Sequence, residues 1–169
     1  MRRFHKTIMK ALGLRSLDAA IDELELAIVA DHRRDPVSRL AASVPGVGAL
    51  AASAILASAP DPQAFKSGRD FAAWLGATPK QNSTGGKEKF GSITKQGNRY
   101  IRRLLVLGAI SVLRGGAKAQ ERVVRLAGPL RARKPPKVVA VALANKLARI
   151  VWAIITTGEA FRTSIYAKA

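Results

Sequence analysis

Apolar and polar residues recur with helical periodicity along most of this chain. Between Leu17 and Ile28, apolar side chains fall at positions 17, 20, 21, 24 and 28, and acidic residues occupy the opposite face. The pattern predicts an amphipathic helix in an N-terminal segment, residues 1–35. This helix is either the end of a longer coiled coil or a simple packing helix.

A second pair of apolar stretches flanks a turn that contains two glycines. The turn reads Val-Pro-Gly-Val-Gly over residues 44–48, and apolar residues at helical spacing lie on both sides of it. Glycine permits positive φ, and such a turn presents backbone N–H groups to an anion at the start of the next helix. Residues 37–59 therefore resemble a helix-hairpin-helix element, with Gly46 and Gly48 as expected backbone contacts to phosphate. A plain helical hairpin that uses the glycines for packing is the alternative.

Two longer helices are predicted in the C-terminal half of the chain. Asn98 can cap a helix over residues 99–113, and Pro136 lies in the first turn of a helix that ends near Gly158. The apolar faces of residues 104–113 and 138–155 are expected to form most of the core.

Composition favours helices over strands. Hydrophobic residues make up 48% of the 169 residues, but aromatic residues only 5%, so alanine and the aliphatic side chains fill the core. We expect an all-α fold in which residues 36–169 combine the helix-hairpin-helix with a small basic helical bundle and a long functional loop. The chain has no cysteine, which excludes disulfides and thiolate metal sites and fits a cytoplasmic protein.

One stretch, residues 138–157, is apolar enough to suggest a membrane span. Lys146 and Arg149 interrupt it near its middle, where charged side chains are costly in a bilayer. A buried helix, with no membrane as partner, is the expectation.

The positive charge is concentrated in one half of the chain. The net charge of +18 divides into +2 for residues 1–79, which hold 10 basic and 8 acidic residues, and +16 for residues 80–169, which hold 19 and 3. A field of this strength attracts polyanions and makes their binding depend on salt.

A polar loop over residues 78–97 contains four glycines and four lysines. Loops of this length in compact domains are in most cases functional or disordered. Within it, Ser83 and Thr84 precede two glycines that permit close backbone approach. Serine and threonine beside glycine are also ordinary turn formers, so the loop alone does not establish a catalytic role for either hydroxyl.

The helix after this loop begins with a cluster of cations, Arg99, Arg102 and Arg103. Positive charge at a helix N-terminus opposes the helix dipole, so helix stability does not explain the placement. An anion is the expected partner. The two histidines, His5 and His32, are expected to be surface or packing residues, and no general base is evident.

Four sequence blocks in this order carry a family resemblance. They are Ser-Val-Pro-Gly-Val-Gly at 43–48, Phe-Ala-Ala-Trp-Leu-Gly-Ala-Thr-Pro at 71–79, Gln-Asn-Ser-Thr-Gly-Gly-Lys at 81–87 and Gly-Ser-Ile-Thr-Lys-Gln-Gly-Asn-Arg-Tyr-Ile-Arg-Arg-Leu-Leu at 91–105. Together they resemble the C-terminal serine domain of a bacterial insertion-sequence transposase family. Its members join an N-terminal RuvC-like DEDD domain to this serine domain and use a structured guide RNA. The resemblance covers roughly residues 36–162.

The resemblance implies DNA transposition and recombination by a serine that attacks a phosphodiester and holds the DNA as a covalent phosphoserine. Ser83 is the expected nucleophile because its primary hydroxyl is less hindered, and Thr84 is the alternative. The expected partners are DNA, a structured guide RNA and further copies of the chain. The residues expected to bind nucleic acid through their charge are Lys87, Lys95, Arg99, Arg102 and Arg103.

The 169 residues depart from the family pattern because they show no RuvC-like half. The first 35 residues are too few for that domain, and only three acidic residues follow position 79, whereas a two-metal site needs several carboxylates. No cofactor is expected within this chain, and Mg²⁺ is expected only with the RuvC-like domain. We expect binding to DNA or RNA without complete transposition. A non-catalytic nucleic-acid-binding helix-hairpin-helix module is the alternative function.

Overall fold

A computed structural model describes residues 14–59, 61–81, 90–115 and 127–161. These residues are mostly helical, with one small sheet, which confirms the expected all-α class. Six α-helices have defined bounds: α1 Leu14–Arg34, α2 Pro36–Ala41, α3 Ala49–Ser58, α4 Gly68–Trp74, α5 Arg99–Arg114 and α6 Pro136–Thr157. The other defined elements are a 3-10 turn at Pro62–Ala64, strand β1 Pro79–Gln81 and strand β2 Phe90–Ile93. Residues 127–131 are also helical.

Side-chain caps determine where several helices begin. The Asp35 carboxylate accepts from the Val37 N–H before α2, and the Ser67 hydroxyl accepts from the Asp70 N–H at α4. The Asn98 side chain accepts from the first N–H groups of α5, as the sequence predicted. These bonds satisfy helical donors that have no partner within the helix itself. At the other end of the chain, Gly158 closes α6 with a positive φ of 72°.

The core lies around α6, which packs against α2, α4 and α5. Nine residues of α6 and four of α5 are buried, so the two helices predicted to form the core do contribute to it. The prediction was incomplete because α3 and α4 add large buried side chains. Ile55 in α3, Phe71 in α4 and Leu75 directly after α4 are fully buried in the same core as Leu147 and Ile154.

The apolar character of α6 comes from this central position. The helix is long and apolar enough to cross a membrane, but half of its most apolar 18-residue window is buried inside the protein. Its two cations, Lys146 and Arg149, are half-buried beside α4 rather than fully covered by apolar side chains. These are the features expected of the central helix of a folded domain.

Among the described residues, helix α1 is attached through its C-terminal third. Residues 15–27 are all exposed, whereas Ile28, Val29 and Ala30 are half-buried where the helix meets α2 and α3. The His32 Nδ1 lies 2.6 Å from the hydroxyl of the buried Ser38. His32 is therefore a packing residue, as expected, and His5 lies outside the described residues.

Candidate nucleic-acid interface

The loop that contains the predicted nucleophile is bounded by the two strands. Strands β1 and β2 are antiparallel, and Gln81 pairs with Phe90, so residues 82–89 connect two adjacent strand ends. Ser83, Thr84 and Lys87 belong to this connection and lie outside the described residues. Their predicted roles stay predictions, and the structure describes the framework on which they are carried.

Strands β1 and β2 form a β-hairpin, and backbone hydrogen bonds fix its base to the end of α4. The Thr94 N–H donates to the Thr78 carbonyl at 2.9 Å, and the Lys95 N–H donates to the Gly76 carbonyl at 3.1 Å. Gly76 has a positive φ of 67°, and a Cβ on Gly97 would overlap the Trp74 carbonyl oxygen. Glycine at both positions therefore lets the backbones of the two segments touch.

Arg102 holds the same junction from the side of α5. Its Nη1 donates to the Leu75 carbonyl at 2.8 Å and to the Gly97 carbonyl at 3.2 Å. A guanidinium has five N–H donors, so these two bonds leave donors for an anion. The structure thus adds a positioning role to the phosphate contact that the sequence predicted for Arg102.

The other described cations predicted to bind nucleic acid face solvent. Lys95, Arg99 and Arg103 are exposed, and Lys95 has an unusual positive φ of 60°. Residues 90–115 contain no aspartate or glutamate. Helix α5 therefore presents an N-terminal end whose positive charge no acidic side chain of that segment neutralises.

The glycine turn between α2 and α3 rests against the middle of α5. Gly46 has a φ of 88°, and a Cβ at that position would lie 2.8 Å from the Gly108 carbonyl oxygen. Conversely, a Cβ on Gly108 would overlap the Gly46 carbonyl oxygen. Close packing thus requires glycine at position 46, and this requirement is independent of the predicted contact with phosphate.

Gly48 has a different environment. A Cβ there would meet nothing within 4 Å, and Gly48 caps α3 without a side-chain hydrogen bond. No side-chain cap thus competes with a phosphate for the first N–H groups of α3. The shallow depression around the turn, about 520 Å³, is lined by apolar, glycine and serine residues and by no charged side chain.

The two predicted groups of phosphate contacts, the glycine turn and the arginine cluster, are therefore both associated with α5. Gly108, on which the turn rests, is nine residues from Arg99, or about 14 Å along α5. The turn and the arginine cluster are brought to one helix but not into one pocket.

A basic cleft lies between α4 and α6. Its walls include Arg69, Lys146, Arg149 and Trp152, and its volume is about 470 Å³. The Trp152 indole N–H donates to the Pro62 carbonyl at 2.9 Å, which fixes one wall. Partial burial, followed by the neighbouring Arg149 charge, lowers the pKa of Lys146 below its usual value.

The described residues show no cluster of metal-ligating side chains. Within residues 14–59, 61–81, 90–115 and 127–161, no three histidine, aspartate or glutamate side chains come together.

Sequence reasoning missed three residues that shape this surface. Gly108 appeared only as one residue of an apolar helical stretch, yet an isolated glycine in such a stretch indicates close backbone approach. The amide of Asn145 donates to the Ala77 carbonyl at 3.0 Å and ties α6 to the hairpin base. The Ser43 hydroxyl accepts from the Phe161 N–H at 3.1 Å. No local pattern indicates either of the last two contacts.

Comparison with known proteins gives one consistent result. A family model described as the transposase IS116/IS110/IS902 family matches residues 38–124. This range begins in α2 and includes the glycine turn, the β1–β2 connection and all of α5.

Individual relatives extend the similarity to most of the chain. A Sinorhizobium fredii protein named as transposase y4pF/y4sB is 49% identical over 88% of this chain and 38% of its own length. A Pseudomonas aeruginosa protein named as a family 20 transposase is 45% identical over 88% of this chain and 44% of its own. The transposase for insertion sequence element IS1328 of Yersinia enterocolitica is 36% identical over 83% of this chain and 42% of its own. The chain thus spans about two-fifths of the length of these relatives.

Proposed function

The chain belongs to the IS116/IS110/IS902 transposase family, and from this premise we propose that it is a DNA-binding transposase domain that acts in DNA transposition through Ser83. One observation carries the proposal. The family match is continuous from the glycine turn through the hydroxyl-containing connection to the arginine cluster, so all the predicted functional residues fall within it.

The proposed chemistry is a phosphoryl transfer. The Ser83 Oγ attacks the phosphorus of a DNA phosphodiester, the Oγ–P bond forms, and the P–O bond to the leaving strand breaks. The serine proton ends on the oxygen of the leaving strand. In the second step, the hydroxyl of another strand attacks the phosphoserine and releases Ser83 in its original form. Such a reaction needs positioning and charge neutralisation more than it needs covalent chemistry from other residues.

The described framework supports both requirements. Hydrogen bonds from Thr94, Lys95 and Arg102 fix the base of the β1–β2 hairpin to the end of α4 and to α5, and rigid support of this kind positions a nucleophile. Lys95, Arg99 and Arg103 are exposed on the segment that follows β2. We propose that they neutralise the charge of the phosphate under attack, together with Lys87.

The glycine turn is proposed to hold the DNA backbone at a distance from the reacting phosphate. The first N–H groups of α3 would bind a phosphate, while Gly46 sets the position of the turn against α5. This assignment keeps the helix-hairpin-helix interpretation as part of the proposal. DNA is the main partner, and a structured guide RNA and further copies of the chain complete the proposed assembly in the cytoplasm.

Trapping of a covalent adduct tests the catalytic proposal. Incubation with a nicked suicide DNA substrate, followed by denaturing electrophoresis, should give a protein–DNA adduct that Ser83→Ala abolishes. Thr84→Ala is the matched control and should retain the adduct. Loss of the adduct in Thr84→Ala alone would assign the nucleophile to Thr84 instead.

The alternative is a non-catalytic module that binds nucleic acid. The net charge of +16 over residues 80–169 favours it independently of the serine. It predicts strong, salt-dependent DNA binding and no adduct with any substrate. In either case we propose that these 169 residues do not complete transposition unless a RuvC-like domain, with its Mg²⁺, is supplied. Excision and insertion of a donor plasmid by this chain alone would contradict that part.

A further inference from the structure

A groove with a cationic rim lies between the C-terminal half of α5 and the first turns of α6. Its volume is about 370 Å³. The floor is apolar, with Ile110 and Leu113 from α5 and Val139 and Ala140 from α6. The charged residues that line it are Arg114, Arg131, Lys134 and Lys137.

The four cations of the groove are exposed, and the described stretches to which they belong, residues 99–115 and 127–158, contain no aspartate or glutamate. In the part of the chain that the structure describes, none of the four forms a salt bridge. Their mutual repulsion is therefore not relieved by a described carboxylate.

Helix stability does not account for this arrangement. Arg114 lies in the last turn of α5, where the helix dipole favours a cation, but Lys137 lies in the first turn of α6, where the dipole opposes one. Lys134 just precedes α6, so two of the four cations are placed against the dipole. A bound anion would offset the unfavourable interaction of Lys134 and Lys137 with the dipole of α6.

The backbone around the rim is ordered by hydrogen bonds. The N–H groups of Arg133 and Lys134 both donate to the Leu130 carbonyl, at 3.1 and 2.9 Å. The N–H groups of Val138 and Val139 donate to the Pro135 carbonyl at 2.9 and 3.1 Å. Arg131, Lys134 and Lys137 are therefore presented from a defined turn and helix start.

We propose that this groove binds the sugar–phosphate backbone of DNA at a site separate from the β1–β2 loop and the glycine turn. Cations at the rim would pair with successive phosphates, and the sugars would lie against the apolar floor. None of the four residues is among those predicted from the sequence to bind nucleic acid. The inference rests on the proposed function because it takes DNA as the polyanion.

The test compares two triple variants that remove the same charge. One is Arg114→Gln/Lys134→Gln/Lys137→Gln in the groove, and the control is Arg15→Gln/Arg33→Gln/Lys66→Gln on exposed positions elsewhere. Binding of a fluorescent duplex DNA fragment is measured over a range of salt, and circular dichroism checks the fold. The slope of log K against log salt should fall by about 2 to 3 for the groove variant, because each lost phosphate contact removes about 0.9. The control slope should change by less than about 1.

An equal fall of the salt slope in the two variants would overturn the groove site but not the proposal that the chain binds DNA. Absence of DNA binding by the unmodified chain would instead overturn the proposed function as well.

Chemical modification of amines gives a second measurement that needs no variant. Bound duplex DNA should protect Lys134 and Lys137 from an amine-reactive reagent and leave Lys66 reactive. Equal protection of the two groove lysines by polyglutamate at the same charge concentration would show a groove for acidic peptides and overturn the assignment to DNA.

Discussion

Gly46 and Gly108 meet where the glycine turn rests on α5. The sequence indicated Gly46 through its turn, because positive φ is a local requirement that glycine meets. It did not indicate that the turn would touch α5, because that contact joins residues 62 positions apart and depends on tertiary packing. Gly108 was accordingly missed, although it is as tightly enclosed as Gly46.

Replacement of Gly108 by alanine should be strongly destabilising. The added Cβ would overlap the Gly46 carbonyl oxygen, so the turn would have to move away from α5. We expect a loss of about 2 kcal/mol or more in the free energy of unfolding, measured by urea denaturation. Gly48→Ala is the control, because open space surrounds that position, and it should change stability by less than about 1 kcal/mol. Similar losses in both variants would refute the packing role.

Arg102 and Arg103 are neighbours with separable roles. Arg102→Ala removes two hydrogen bonds to carbonyl oxygens and should cost about 1 to 3 kcal/mol of stability. Arg103 is exposed, so Arg103→Ala should leave stability within about 0.5 kcal/mol of the original and lower the salt slope of DNA binding by about 0.9. Thermal unfolding and DNA titration of both variants separate the effects. An Arg102→Ala protein that is as stable as the original chain would contradict the positioning role.

Lys146 should make stability depend on alkaline pH. Its pKa is lowered in the folded protein by burial and by Arg149, so between the folded and unfolded pKa values the unfolded chain binds more protons. Stability from this group therefore rises as pH rises toward 10.5, the ordinary lysine value. The difference in unfolding free energy between Lys146→Met and the original chain should shift in favour of the original from pH 8 to pH 10.5. A pH-independent difference would show that the pKa of Lys146 is the same in both states.

At the level of elements, helix starts were the features most accessible from sequence. Asn98 and Pro136 were placed correctly because capping is decided by a few adjacent residues. The share of the core supplied by α3 and α4 was underestimated, because burial depends on which helices meet. The sequence pattern could not define β1 and β2, since two strands of three and four residues leave little periodicity to detect.

Helices α1 and α6 differ most in how their apolar residues are used. Leu24 is 63% exposed on the N-terminal part of α1, whereas Leu147 is fully buried in α6. Leu147→Ala should cost about 2 to 5 kcal/mol, and Leu24→Ala less than about 0.5 kcal/mol. Chemical denaturation at low protein concentration measures both. A large loss for Leu24→Ala would mean that the exposed face of α1 is covered in solution.

At the scale of the whole molecule, the positive charge is unevenly distributed. An excess of +16 over residues 80–169 places cations at the N-terminal end of α5, in the cleft between α4 and α6, and around the groove at the start of α6. The sequence indicated a polyanion as partner from these numbers alone. It could not show how the cations divide among separate surfaces, because that follows from helix packing.

We propose that Ser83 becomes covalently linked to DNA on a framework built from α4, β2 and α5. Mass spectrometry of the adduct, after nuclease and protease digestion, identifies the modified residue most directly. We expect a nucleotide remnant on Ser83 and none on Thr84. A remnant on any other residue, or no covalent adduct from a suicide substrate that the protein demonstrably binds, would contradict it.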